Sequence, residues 1–154
     1  LHLDRLDFLN GTPVLDLKPY FITRDLIFSA NGQQVGKPRS REDLRESLYV
    51  QALHFHGQDA PDLALAVRLI EHFRLKFLDL NDPGDYRITA AFHRPVLLDG
   101  LMAITRATPG RGNFAFHSTD TVLFDGIAEY TLAAQLPPDP IHAPDDQLFT
   151  CRPL

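Results

Sequence analysis

The sequence predicts an α+β domain in which about three helices pack on one face of a mainly antiparallel sheet. Three segments between residues 41 and 104 carry apolar residues at the spacing of a helix face. Behind them, short apolar runs between residues 114 and 132 are separated by turn-length intervals, which favour antiparallel neighbours. A chain of 154 residues is long enough to bury one hydrophobic core.

The N-terminal part is predicted to be a β-hairpin arm. Residues 1–21 contain two short apolar runs separated by Asn10-Gly11, a dipeptide that accepts the positive φ angles of tight hairpin turns. Residues 22–40 are rich in turn residues and poor in periodic apolar positions, so we interpret them as a linker that holds the domain boundary.

Helices are predicted where apolar residues recur every three or four positions. Asp59 and Asp99 are expected to cap the second and third helices, and Pro61 fits a first turn. His72 is expected to be a partly exposed helix residue and not a ligand. The predicted helices and their caps are 41–53 (Ser40), 60–77 (Asp59) and a short one over 97–104 (Asp99).

The remaining segments are predicted as strands and a tail. Residues 86–92, 114–116, 122–124 and 127–132 are expected to form strands, because they alternate or are apolar between turn signals. From Pro137 the composition changes to Pro, Asp and isolated apolar residues, so residues 137–154 are expected to be an extended tail.

Charge and composition restrict the class of protein. A formal net charge of -5 argues against a nucleic-acid-binding surface that covers the whole protein. Cys151 is the single cysteine, which excludes an intrachain disulfide and fits a reducing compartment. Neither a leader nor a run of about 20 apolar residues is present in the sequence. We therefore expect a cytoplasmic protein that does not interact with membranes.

Two histidines precede the predicted second helix. His54 and His56 stand just before Asp59, at the end of a helix where the backbone dipole is positive. Such a place suits a metal, an anion or an acid/base group. Two hydrogen-bonded loop histidines with no further role are an equally simple interpretation, and the spacing alone does not decide between them.

A glycine-rich loop is the second candidate site. The segment from Thr108 to Asn113 places Gly-x-Gly amides beside Thr108 and Arg111, which are groups that hold a phosphate or carboxylate. The alternative is a tight turn between a helix and a strand.

The segment from Asn10 to Tyr20, Asn-Gly-Thr-Pro-Val-Leu-Asp-Leu-Lys-Pro-Tyr, resembles the closing motif of the TsaA-like family. That family usually has Asp at the position of Asn10. Its members resemble S-adenosylmethionine-dependent tRNA adenosine N6-methyltransferases. The resemblance implies a β-barrel whose remainder, including the region that binds the methyl donor, would precede Leu1.

A second resemblance covers roughly residues 44–132. Phe55-His56-Gly57 followed by Pro61, then Asp99, then a Thr-x-Gly-Arg-Gly-Asn segment, is similar to the FmdE family, which is named after a component of formylmethanofuran dehydrogenase. That family's motifs read F-H-G-H-x-C-P-G and G-C-T-x-G-K-G-N. It implies an α+β domain that dimerises, so we expect a homodimer.

This chain departs from the FmdE pattern where the family has its metal-binding groups. Gln58 replaces the second histidine, Ala60 and Ala107 replace two cysteines, and Arg106 replaces a glycine. Amide and methyl groups replace soft metal ligands, so no bound metal is expected. A rebuilt zinc site, the alternative, would use His54, His56 and Asp59 with His93 or His117.

The resemblance places any surviving pocket where His56, Asp99 and Arg111 converge, with a small anion as its ligand. Three functions stay open: a degenerate FmdE-like accessory, binding or dimerisation module; the C-terminal part of a TsaA-like methyltransferase; and a metal-dependent enzyme. S-adenosylmethionine and tRNA are expected only if an upstream domain exists. The residues predicted to bind a ligand are His54, His56, Asp59, Asp99, Thr108, Arg111 and Asn113.

Overall fold

A computed structural model describes Pro13, Pro38, residues 40–79 and residues 86–154 of the chain. The chain divides into two compact units, Leu1–Lys37 and Pro38–Leu154. The predicted N-terminal hairpin and nearly all of the predicted linker lie outside the described residues. Every element below belongs to the second unit.

The described part of the second unit has three α-helices and a five-stranded sheet, which confirms the predicted α+β class. The sheet order is β2-β1-β3-β4-β5, in which β1 and β2 are parallel and the other neighbours antiparallel. The helices are α1 (Arg41–His56), α2 (Pro61–Phe77) and α3 (Pro95–Thr105), and the strands are β1 (Ile88–Ala91), β2 (Phe114–His117), β3 (Thr121–Phe124), β4 (Ala128–Leu132) and β5 (Phe149–Pro153).

Helix α1 begins as predicted and ends later. The Ser40 side chain accepts a hydrogen bond from the Asp43 backbone N–H, at 3.1 Å, which confirms the predicted cap. The helix continues through His54 and His56 to Gly57, whose φ of 88° ends it. The two histidines therefore lie in the last turn of α1, and their predicted position in a loop is wrong.

The predicted caps of the other two helices are also wrong. Helix α2 has Ala60 at its N-cap position, with no side-chain hydrogen bond there, and Pro61 in its first turn. Helix α3 starts at Pro95, a residue that is tolerated at the first helical position because its missing N–H would have no partner there. Asp99 consequently lies inside α3, where it cannot cap the helix.

One face of the sheet carries the hydrophobic core. Residues of β3 and β4 alternate between buried and more exposed positions, as expected for a sheet packed on one side. Phe73 of α2 stacks on Phe124 of β3 with ring centroids 4.0 Å apart, so α2 packs on this face. Within the described residues, no helix is both long and apolar enough to cross a membrane.

The C-terminal segment was expected to be an extended tail and is instead part of the fold. Residues 149–153 form β5, which pairs with β4 along its whole length. Before β5, the chain is held by the buried Arg68 of α2, which donates hydrogen bonds to the carbonyl oxygens of Ile141 and Ala143 at 2.9 and 2.8 Å. We call residues 138–145 the strap, because this segment crosses α2 and leads into β5.

Helices α2 and α3 approach closely at Gly100. A Cβ added to Gly100 would lie 2.6 Å from the Cβ of Ala66, which is shorter than real Cβ contacts allow. Glycine in a helix interior costs about 1 kcal/mol relative to alanine, so its presence here reflects the packing of the two helices.

The substitution Gly100→Ala should lower the free energy of unfolding by about 1–2 kcal/mol. The added methyl group forces α2 and α3 apart, and the free-energy cost of this movement exceeds the gain from alanine's higher helix propensity. Urea denaturation would measure this change. Gly110→Ala is the matched control, since nothing lies within 4 Å of its added Cβ, and it should change stability by less than about 0.5 kcal/mol. Equal stability of the two variants would contradict the packing argument.

Candidate functional site

The structure brings two of the predicted site residues together. His56, at the end of α1, lies with its Nδ1 atom 2.9 Å from Oδ2 of Asp99 in α3. The His56 side chain is 22% exposed and that of Asp99 is 38% exposed, so the pair is half-buried and accessible from solvent. An ionised carboxylate only accepts hydrogen bonds, so Nδ1 carries the hydrogen.

This geometry defines what the pair can do chemically. With Nδ1 held by Asp99, the imidazole is fixed in orientation, and its Nε2 atom is left as an acceptor. Nε2 has no hydrogen-bond partner among the residues that the structure describes. A carboxylate-held imidazole of this kind can accept a proton or a hydrogen bond from a ligand.

Two other predicted site residues, His54 and Asp59, form no hydrogen bond or ion pair with the His56–Asp99 pair in the described part of the chain. His54 is exposed and lies two positions earlier on α1, where side chains do not face each other. Asp59 accepts a hydrogen bond from the Tyr49 hydroxyl group. Burial, and then the contact with Asp59, raises the pKa of Tyr49 to about 12, so the phenol stays protonated at neutral pH.

The predicted anion loop is closed by its own hydrogen bonds. Thr108 caps a short 3-10 helix, Pro109–Arg111, by accepting from the Arg111 N–H. The Thr108 N–H donates to the Asn113 side-chain oxygen at 2.9 Å, and the Gly112 N–H donates to Pro109. In this conformation three of the loop's amides are engaged internally, as in the tight turn that was the alternative interpretation.

Arg111 does not converge with the histidine–aspartate pair. Its guanidinium donates to the carbonyl oxygen of Arg106 at 2.8 Å, near the end of α3. Across 40–79 and 86–154, no hydrogen bond or ion pair joins Arg111 to His56 or Asp99. The expected convergence of these three side chains is therefore not seen, and anion binding by the loop stays a prediction.

The histidines named for a rebuilt metal site are distributed over the domain. His93 pairs with Asp120 at 3.0 Å, and the His117 ring contacts the hydroxyl groups of Thr119 and Thr121. In the described part of the chain, no group of three or more His, Cys, Asp or Glu side chains is arranged to hold a metal ion.

Sequence reasoning did not find a buried charge cluster beside the strap. Glu71 of α2 is fully buried, and its carboxylate binds Arg41 at 2.5 Å, Arg45 at 2.9 Å and Arg68 at 3.0 Å. Arg68 also pairs with Asp145 at the end of the strap. The signal for this cluster in the sequence is weak. Arg41 and Arg45 are four residues apart at the start of α1, a spacing that is equally typical of the solvent-exposed face of a helix.

His72 is a second titratable group outside the predicted site, and it is a partly exposed residue of α2, as predicted. Its Nδ1 atom lies 2.8 Å from the hydroxyl of the fully buried Tyr130, and the Phe149 ring packs edge-on against the imidazole. Burial lowers the pKa of His72, against the opposing effect of Asp145. The imidazole is therefore uncharged at neutral pH and contributes to the packing of α2 on the sheet.

Comparison with known proteins gives one weak likeness. A protein of Archaeoglobus fulgidus named "Probable S-adenosyl-L-methionine-binding protein" is 28% identical over 120 residues, which are 75% of this chain and 32% of that protein. A match over three quarters of the chain must include its middle, where α1, α2 and α3 lie. This chain spans about a third of the relative's length. No family model matches the chain, and the FmdE-like resemblance finds no support.

Replacing Glu71 with glutamine should lower the free energy of unfolding by about 3 kcal/mol. The substitution removes the buried negative charge and leaves the three arginines around it without their ionic partner. Glu129→Gln is the matched control, since Glu129 pairs with the exposed Arg152, and its effect should stay within about 1 kcal/mol. Urea denaturation measures both. Effects of equal size would show that the cluster is not a structural centre.

The lowered pKa of His72 predicts a stability that depends on pH. In the unfolded chain His72 binds a proton near pH 6.5, whereas in the folded protein it does so only at lower pH. The contribution of His72 to stability is therefore complete above pH 6.5 and falls as the pH drops below that value. The variant His72→Gln should lose less stability than the wild type between about pH 7.5 and about pH 5.5. The control His142→Gln removes an exposed histidine and should keep the wild-type pH dependence. If both variants follow the wild type, His72 is not the responsible group.

Proposed function

We propose that this chain belongs to an S-adenosylmethionine-binding protein of the methyltransferase class, in which the described domain is an accessory module. The likeness to the A. fulgidus protein supports this proposal most directly, because that protein is named for binding S-adenosylmethionine. The resemblance of Asn10–Tyr20 to the end of a TsaA-like domain agrees with it. The likeness covers about a third of the relative, so the activity and the substrate of the protein to which this chain belongs are themselves parts of the proposal.

Two cavities formed by described residues are small for the cofactor, with volumes of about 110 and 200 Å³. Sites for nucleoside-sized ligands usually measure about 300–1,000 Å³, and neither of the two reaches that size. The amides of the 108–113 loop are engaged internally and would have to be released to hold a carboxylate or phosphate. We therefore assign cofactor binding to another part of the protein.

The accessory role is assigned to the His56–Asp99 pair and its surroundings. Nε2 of His56 is held in place and available, so the pair offers a hydrogen-bond acceptor to a ligand. In this proposal the domain positions the substrate, which the TsaA-like resemblance implies is tRNA. The homodimer expected from the FmdE-like resemblance remains a prediction.

Calorimetric titration with S-adenosylmethionine tests the proposal on two proteins: the 154-residue chain and the product of the whole open reading frame. We expect the whole product to bind the cofactor and the 154-residue chain to bind it far more weakly. Absence of binding by both would contradict the proposed class. Tight binding by the 154-residue chain would contradict the assignment of the cofactor to another part of the protein.

The accessory role is tested in the same whole product with Asp99→Asn. This variant should keep cofactor affinity and lose methyl transfer to tRNA, since it removes the negative charge that holds the His56 imidazole in one tautomer and orientation, without touching the cofactor. Asp120→Asn, which alters the separate His93–Asp120 pair, is the matched control. Equal methyl transfer by wild type and Asp99→Asn would remove this pair from the function.

A further inference from the structure

A cavity of about 200 Å³ lies between the start of α2 and the strap, away from the His56–Asp99 pair. Its size corresponds to roughly six or seven water-sized groups, at about 30 Å³ each. Most of its lining is apolar and comes from alanine, proline and isoleucine side chains. The residues around it are Tyr49, Asp59, Ala60, Pro61, Ala64, Pro138, Asp139, Pro140 and Ile141.

The strap wall of this cavity is fixed by buried hydrogen bonds. Arg68 is 4% exposed and donates to the carbonyl oxygen of Ile141, a lining residue, at 2.9 Å. It also donates to Ala143 and pairs with Asp145. Because the wall is held in place before any ligand enters, binding does not need to order the strap.

Two charged side chains line the cavity, and both are carboxylates. Asp59 and Asp139 line it, whereas no lysine or arginine of the described residues does. Tyr49 also lines the cavity, and its neutral phenol donates a hydrogen bond to Oδ1 of Asp59. The positive end of α2 amounts to about half a charge, which two carboxylates outweigh. The cavity therefore favours a cation that has an apolar body.

The hydrogen bonds of the two carboxylates favour one type of cation. Oδ1 of Asp59 is engaged by Tyr49, and the oxygens of Asp139 accept from His142 at 3.0 and 3.2 Å. A guanidinium prefers both free oxygens of one carboxylate, whereas an ammonium group makes single hydrogen bonds in several directions. Oδ2 of Asp59 and the remaining lone pairs of Asp139 offer such single acceptors.

We propose that the cavity between α2 and the strap binds a primary alkylammonium group, with its chain against the prolines and Ile141 and its nitrogen near Asp59 and Asp139. The chain length that fits is about four or five carbons, from the cavity volume. Two sources have this chemistry: a free aliphatic diamine and the lysine side chain of a peptide. This site is separate from the proposed cofactor-dependent function and can be tested independently.

Titration of the full 154-residue chain with n-butylammonium chloride, followed by NMR or calorimetry at constant ionic strength, tests the proposal. We expect saturable binding, with n-butylguanidinium and 1-butanol each at least about tenfold weaker. Tetramethylammonium, which has no N–H donor, controls for charge alone. Absence of saturable butylammonium binding below about 10 mM would overturn the proposal.

Variants show whether binding occurs in this cavity. Asp59→Asn and Asp139→Asn should each weaken butylammonium binding about tenfold, the loss of one charge-assisted hydrogen bond. Ala60→Leu should abolish binding by filling the cavity without changing its charge. Asp125→Asn, at an exposed aspartate outside this cavity, is the matched control and should bind as the wild type does. Unchanged binding in Asp59→Asn and Ala60→Leu would overturn the assignment.

The source of the ammonium group is decided by two further ligands. Cadaverine represents a free diamine, and lysine blocked at both its amino and carboxyl ends represents a side chain within a peptide. Tighter binding of cadaverine would assign the site to a free diamine, and tighter binding of blocked lysine would assign it to a protein partner. If neither competes with butylammonium, neither source supplies the ammonium group, which would overturn the proposal.

Discussion

The fully buried carboxylate of Glu71 is the interaction on which the domain most depends. Removing a carboxylate from water costs several kcal/mol, and only close, hydrogen-bonded partners offset that cost. Here Arg41 and Arg45 of α1 donate hydrogen bonds to the carboxylate, and Arg68 of α2 adds an ion pair, with its Nε atom 3.0 Å from the carboxylate. Neither helix can move relative to the other without exposing or unpairing this charge, so the cluster determines how α1 sits on α2.

Arg68 extends the same constraint to the C-terminal part of the chain. Its guanidinium binds Glu71, two carbonyl oxygens of the strap and Asp145, so the strap is joined to the α1–α2 pair. The strap leads directly into β5, which completes the sheet on the side opposite to β2. A segment with the composition of a tail is thereby folded by one buried arginine on a distant helix.

The sequence was sufficient for features that depend on local chemistry. Helix periodicity, the Ser40 cap and the positions of β1 to β4 along the chain followed from spacing and turn residues, and the α+β class followed from them. Features that depend on contacts between residues far apart in the chain could not be predicted from the sequence. Asp59 looked like a cap because its hydrogen bond with Tyr49 cannot be read from the sequence, and β5 became a strand only through pairing with β4. Among the site residues, the sequence identified His56 and Asp99 but not the separation of Arg111 from them.

The turn between α1 and α2 connects the two sites proposed for this domain. His56 is the last residue of α1, and Asp59 and Ala60 line the cavity three and four positions later. Gly57 ends α1 in a left-handed conformation that favours glycine. A ligand that engages Asp59 in the cavity therefore contacts a residue of the same short turn that follows His56. The Glu71 cluster keeps the two helices on either side of that turn in place, so the positions of both sites depend on the same buried charge.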